Sequence, residues 1–313
     1  MMSSSTTKDQ AAPAQPGAGG LADASPLATH GEGKSQGLHG TTMSTGLAAR
    51  ARPRRVSPSS LGRYQRCPKQ FFLQDVAGET RHERPSPRLA QGNAVHEALA
   101  LFFGLAPAQR HPALLAKALR ASWPRHRAID TFCSRDEEAE WGTRALAMLA
   151  RFAEEHDLSA IPLAREQWVS TRLANGVEIF GRVDRIDPSP SGKTIEIVDY
   201  KTGKQRLSNE ALRSDTAAQL YAVAASAEYG RRVSRVRLLH LGEEAGELEW
   251  RPTVAQLRAA RRSLIEHTNQ LQGEVRYTAT PGPHCGWCPF ALHCAEKDRV
   301  EASDLEPREE VPF

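Results

Sequence analysis

Three consecutive segments, 163–173, 177–187 and 193–201, alternate with the two-residue period of strands. The turns between them, Asn175-Gly176 and Pro188-Ser189-Pro190-Ser191-Gly192, are made of turn formers. A chain with this stretch must build a sheet around two adjoining hairpins. Three ionisable residues stand where these strands are expected to be hydrophobic. Asp184 lies in Gly181-Arg182-Val183-Asp184-Arg185-Ile186-Asp187, and Asp199 and Lys201 lie in Val198-Asp199-Tyr200-Lys201-Thr202-Gly203. Asp199 and Lys201 are two apart, so both side chains stand on one face of their strand. The turn at 188–192 brings the strand of Asp184 alongside, so two carboxylates and one ammonium are expected to converge.

The flanks read as helices and further strands. Ser57-Pro58 has the form of an N-cap followed by a first-turn proline, and Cys67-Pro68 interrupts the short helix that starts there. Leu89, Val95, Leu99, Phe102 and Phe103 give 88–103 a helical spacing, and 112–122 and 135–156 are further helices. Beyond the hairpins the expectation is a helix over 209–229, strands over 233–241 and 246–251, and a long helix over 253–272. The expected fold is α/β: a central mixed sheet flanked by helices, with a helical insertion at about 105–156 and a metal-binding C-terminal appendage.

Composition narrows the class. The formal net charge of +4 is unevenly placed: residues 1–56 carry +3, 296–313 carry −4 and the middle carries +5. Such a mildly basic middle suits an anionic partner without identifying one. Of 41 basic residues only 8 are Lys. Arg suits phosphate contacts, and a GC-rich coding bias gives the same skew. Residues 1–50 have no aromatic residue and are expected to be a disordered tail. The basic run Arg50, Arg52, Arg54, Arg55 at its end suits a solvated linker or a phosphate-touching arm. There is no apolar run of the length a membrane helix needs and no secretory leader, so a cytoplasmic location is expected. Gly192-Lys193-Thr194 resembles the end of a phosphate-binding loop, but residue 187 is Asp where that loop needs Gly, so no ATPase site is expected.

The strand residues have a chemical logic of their own. Two carboxylates suit Mg²⁺ or Mn²⁺, which prefer oxygen ligands. Such a metal polarises a phosphodiester and acidifies a bound water, and a neighbouring Lys can orient that water and offset the extra negative charge. The same residues would also suit an exposed, salt-bridged hairpin. The cysteines form a second constellation. Cys285, Cys288 and Cys294 make a three-ligand loop over 284–294, and Cys67 lies far upstream in a Cys-Pro turn. A trio this close in a reducing compartment reads as a metal site. Tetrahedral Zn²⁺, with His284 or His293 replacing a cysteine, satisfies the spacing. Cys133 falls outside the pattern as an ordinary thiol.

Taken in order, these pieces resemble the PD-(D/E)XK nuclease superfamily in its RecB-like, AddB-like branch. The resemblance covers about 57–295. It runs through Ser57–Leu61 with Cys67-Pro68, Gly92–His96, Gly181–Asp187, Val198–Gly203, Gln219-Leu220-Tyr221 and the cysteine trio. It implies a divalent-metal-dependent deoxyribonuclease, an exonuclease of DNA repair or recombination. Asp184, Asp199 and His96 would hold the metal and Lys201 would be the catalytic lysine. Gln219 and Tyr221 would belong to the late helix motif. They are two apart here, where relatives commonly space them by four, so both cannot face the metal. Glu166 would match an acidic residue that some members place on the first strand. Cys67, Cys285, Cys288 and Cys294 would hold a [4Fe–4S] cluster, with structural Zn²⁺ as the rival. The substrate would be DNA, single-stranded or with free ends, with a separate helicase as a possible partner and segment 105–156 arching over the strand. The alternatives are a non-catalytic iron–sulfur DNA-binding subunit of a repair complex and a CRISPR spacer-processing nuclease.

Overall fold

The helices start at their caps. In the computed structural model, which describes residues 52–79, 86–203, 208–242 and 245–297, Ser57 Oγ accepts from the Ser60 amide at 3.1 Å. Ser60 Oγ accepts from the Ser57 amide at 2.8 Å, closing a capping box on helix α1 (Pro58–Arg66). Extended Cys67 ends α1, and Pro68 starts the short α2 (Pro68–Phe71). A π-helical turn over Phe72–Val76 comes next, with no sequence signal for it. Order begins before Ser57: Arg55-Val56 form a strand, β1, and Val56 is fully buried. The basic run, read as a solvated linker or a phosphate-touching arm, therefore ends in the sheet at Arg55. Of the tail expected over 1–56, residues 1–51 lie outside the described residues, as do residues 298–313 of the acidic tail expected over 296–313.

Helices α3 (Pro87–Phe103), α4 (Pro112–His126) and α5 (Arg135–Glu155) precede the hairpins. Next come β2 (Ala164–Arg172), β3 (Glu178–Pro188) and β4 (Ile195–Lys201), within a residue or two of the segments read from the sequence. The expected helix over 209–229 is two helices, α6 (Asn209–Ser214) and α7 (Thr216–Glu228). Asp215 divides them because its extended backbone ends one, while its carboxylate caps the other through the Ala218 amide at 2.8 Å. Strands β5 (Val233–His240) and β6 (Gly246–Trp250) and helix α8 (Val254–Gly273) complete the elements named here. The turn at 189–194 is a tight hairpin closed by Ser189 N–H to the Thr194 carbonyl at 3.0 Å, not a strand-to-helix phosphate loop.

The six strands form one mixed sheet in the order β1-β3-β4-β5-β6, with β2 paired along the other side of β3. β1–β3 and β4–β5 are parallel; β2–β3, β3–β4 and β5–β6 are antiparallel. Alternation along β4 sends Ile195 and Ile197 into one core with α7 and α8, and Val198 and Tyr200 into another with α3, α4 and α5. The result is three layers, helix–sheet–helix. Segment 105–156 is not an open arch. Leu115, Leu119, Ala145, Leu149 and Phe152 are buried against α3 and the sheet, so its helices are the second layer itself. No helix among the described residues is long and apolar enough to cross a membrane.

Candidate metal centre

The site lies where β3 loses a neighbour. β1 pairs with β3 only at Glu178-Ile179, and β4 only at Arg185–Pro188. Between them, one edge of β3 is left without a strand. The β3–β4 ladder runs Pro188↔Ile195, Asp187↔Glu196, Ile186↔Ile197, Arg185↔Val198 and stops one step short of Asp184 and Asp199. The Asp184 side chain bridges the fork instead, accepting from the Tyr200 amide at 2.6 Å. Both aspartates are buried there.

Helix α3 supplies His96. Gly92 and His96 are four apart and share one face of the helix. A Cβ on Gly92 would lie 3.1 Å from Thr202 Oγ1, so the glycine lets α3 approach the end of β4 closely. His96 Nδ1 then comes within 3.0 Å of Asp184 Oδ1. Strand β2 supplies Glu166. Its φ of 47° is left-handed, and its neighbours pair on either side, Arg165↔Arg185 and Gln167↔Val183. Strained residues of this kind concentrate at functional sites. One ligand atom from each of His96, Glu166 and Asp184 lies within 4.8 Å of the others. Asp199 is not in that group. Its carboxylate pairs with Lys201 Nζ at 2.9 Å. The expected set of His96, Asp184 and Asp199 is thus drawn in the structure with Glu166 at the shortest spacing and Asp199 turned to the lysine. The sequence signal for Glu166 was its place on the strand antiparallel to that of Asp184.

Burial sets the protonation of this cluster. It raises the Asp199 carboxyl, which the charge of Asp184 raises further against the opposing pull of Lys201. Glu166 is raised for the same two reasons, burial and Asp184. Asp184 is lowered overall: burial works against it, but His96, the Tyr200 amide and Lys201 outweigh burial. For His96, burial favours the neutral ring, and Asp184 more than offsets it, so the pKa is raised. Lys201 behaves likewise, held well above the ordinary lysine value by Asp199 despite burial.

Helix α7 brings Tyr221 to this fork and turns Gln219 aside. Tyr221 is pushed up by burial and by the charge of Asp199. The Gln219 amide donates to the Arg213 carbonyl at 2.8 Å, at the break before α7. Gly181 makes room for the tyrosine: a Cβ there would sit 2.6 Å from Tyr221 Cε1 and 3.4 Å from Pro58 Cδ. Gly181→Ala is therefore expected to displace the ring and cost about 1–3 kcal/mol of stability, measured by denaturant unfolding.

The four cysteines gather where the start of α2 meets the C-terminal loop. Cys67, Cys285, Cys288 and Cys294 line one hollow, together with His284 and Phe290. None of the four is in a disulfide. Cys288 is raised by burial and by the other three cysteines. Arg66, the last residue of α1, lies 4.9 Å over the Trp287 ring, so the first helix reaches the C-terminal loop. Cys133 is exposed and apart from the hollow.

No curated protein matches the chain. A crystal structure from Eubacterium rectale, described as a "Putative exonuclease", is similar over 81% of this chain and 94% of that chain, at 14% identity and a TM-score of 0.49. The family model of the PD-(D/E)XK nuclease superfamily matches residues 55–295, the stretch that holds the forked hairpin, the α3 histidine and the cysteine hollow. The chain belongs to the PD-(D/E)XK nuclease superfamily.

Proposed function

We propose that this nuclease is a divalent-metal-dependent DNA exonuclease of the RecB-like, AddB-like branch, acting in the cytoplasm in repair or recombination. The observation that carries the reading is the convergence of His96, Glu166 and Asp184 beside the Asp199–Lys201 pair. One imidazole and two carboxylates, with a third carboxylate adjacent, form a donor set that fits Mg²⁺ or Mn²⁺. Divalent metals serve this superfamily. Bound there, the ion would polarise the phosphodiester and acidify a water. Lys201 presents a permanently charged ammonium to the phosphate and orients the attacking water, while Asp199 fixes its position. The Tyr221 hydroxyl stays protonated and completes the wall on the α7 side. The bond to the 3′ oxygen breaks.

Protons couple to metal affinity in this reading. His96 and Glu166 both hold their protons to a higher pH than usual. Both must release them to become ligands. Metal affinity is therefore expected to fall as pH drops through those raised values, with net proton release on binding. Titration calorimetry with Mn²⁺ in two buffers of different ionisation enthalpy reads this directly; binding with no proton release would contradict it.

The cysteine hollow fits a [4Fe–4S] cluster held by Cys67, Cys285, Cys288 and Cys294. Four cysteines around one hollow match the four thiolate ligands of such a cluster. Such a cluster would tie α1 to the C-terminal loop across the nuclease core. Protein purified without oxygen is expected to be brown, and Cys288→Ser to be colourless with a lower melting temperature. Zinc in place of iron by elemental analysis would select the rival.

The defining test is end-labelled single-stranded DNA incubated with anaerobically purified protein and Mg²⁺ or Mn²⁺. Cleavage that stops with chelator and with Asp184→Asn supports the enzyme. A protein that binds DNA and cuts none would favour the non-catalytic subunit, or a nuclease that acts only with a helicase partner.

A further inference from the structure

The sheet carries a second feature that leads away from the carboxylates. Val169, Ile179 and Val183 are buried in the core that holds α7, and Gly181 faces Tyr221 of that helix. Alternation therefore turns Trp168, Phe180 and Arg182 to the opposite face, on which Asp184 meets His96. In register, Trp168 lies opposite Arg182 and Ser170 opposite Phe180. The Trp168 and Phe180 rings stack with centroids 5.9 Å apart and planes 29° from parallel. The Arg55 guanidinium sits 4.4 Å over the Phe180 ring. Arg182 reaches Glu166 at 2.9 Å, which joins this row to the metal cluster. Trp168 is 57% exposed.

A cross-strand aromatic pair can serve the sheet alone. That role needs neither the two guanidinium groups nor a row that ends at the carboxylates. Single-stranded nucleic acid needs all three: a flat aromatic surface for an unpaired base, cations for the backbone, and a path to the reacting phosphate. A duplex hides its base faces in its own stack and offers such a surface nothing. Arg55 and Arg182 are held by Glu178 at 3.2 Å and by Glu166. These pairs keep both guanidinium groups beside the rings, where phosphates of a stacked strand would pass.

We propose that Trp168 and Phe180, flanked by Arg182 and Arg55, are the platform on which a single DNA strand lies as it enters the His96–Glu166–Asp184 cluster. The proposal rests on the nuclease reading and names its substrate. It is tested by fluorescence anisotropy of a labelled oligodeoxythymidine with the full chain, without divalent metal, using wild type, Trp168→Ala and Trp168→Phe. The alanine variant is expected to bind about 5- to 150-fold more weakly, from the loss of one base stack. The phenylalanine variant should keep most of the affinity. A blunt duplex should bind all three equally. Single-strand binding unchanged in Trp168→Ala, or absent in wild type, overturns the platform, as does an equal loss for duplex. Cleavage of the same strand by wild type in Mg²⁺ is scored separately. Cleavage with unchanged binding by the alanine variant removes the platform and leaves the nuclease. No cleavage, with the expected binding loss, leaves the platform and points to the non-catalytic subunit or to a nuclease that acts only with a helicase partner.

Discussion

Lys201→Met is expected to lower DNA cleavage by about 10²–10³-fold, the range for losing one preorganised charge at a reacting centre. The methionine keeps the length of the side chain and removes its charge. The charge matters because, among the described residues, Lys201 has one close ionic partner, the buried Asp199 at 2.9 Å. Its raised pKa keeps the ammonium intact across the neutral range. The single variant leaves Asp199 without the main cation opposing its burial, so that carboxyl takes up a proton at a still higher pH. Part of any loss could then come from the altered fork. Asp199→Asn/Lys201→Met removes both charges together and isolates this effect. The pair of variants, monitored by gel cleavage and thermal melting, is expected to separate activity from folding: both inactive, the double variant the more stable. Activity retained by Lys201→Met would remove the lysine from the mechanism.

Arg185→Met is expected to cost about 3–5 kcal/mol, the penalty for removing a buried guanidinium and leaving its half-buried ionic partner uncompensated. That corresponds to a fall in melting temperature of roughly 6–20 °C for a domain of this size. Arg185 is 3% exposed. It donates to Asp187 at 2.9 Å and to the Tyr200 hydroxyl at 3.0 Å, and lies 4.3 Å over the Phe103 ring. One guanidinium thus joins β3, β4 and the end of α3, three of the elements that hold the metal residues. Burial raises the Tyr200 hydroxyl, so it stays a neutral partner. Arg185→Lys would keep the charge but lose the planar fork that reaches two partners, and should recover only part of the stability. A melting temperature within a degree or two of wild type in Arg185→Met would show that the three elements are held by apolar packing alone.

The hairpins and the Asp-x-Lys spacing were legible because a period of two has one structural meaning. The Gly92–His96 spacing was legible for the same reason on a helix. Glu166 was only half legible. Its strand could be read, but the left-handed φ that accompanies its turn toward Asp184 is a property of the assembled sheet. Gln219 and Tyr221 could not be told apart from spacing. The choice depends on how α7 is rotated, and that is set by the hollow left by a glycine 40 residues away, Gly181. An arch is the wrong expectation for 105–156, although Leu115, Leu119, Ala145, Leu149 and Phe152 recur at the spacing of a core stripe. Strand β1 has no sequence signal because two residues at the end of a polar, Gly- and Pro-rich stretch leave no period to read. The role of Arg185 was equally hidden: an arginine inside a strand gives no sign of which ring or hydroxyl it will meet.

Anomalous scattering from crystals grown with Mn²⁺ tests the centre most directly. The expected result is one strong peak bounded by the His96 imidazole and the Glu166 and Asp184 carboxylates, absent from Asp184→Asn crystals. A peak elsewhere in the fold, or the same peak in the variant, would contradict the assignment of this cluster as the metal site.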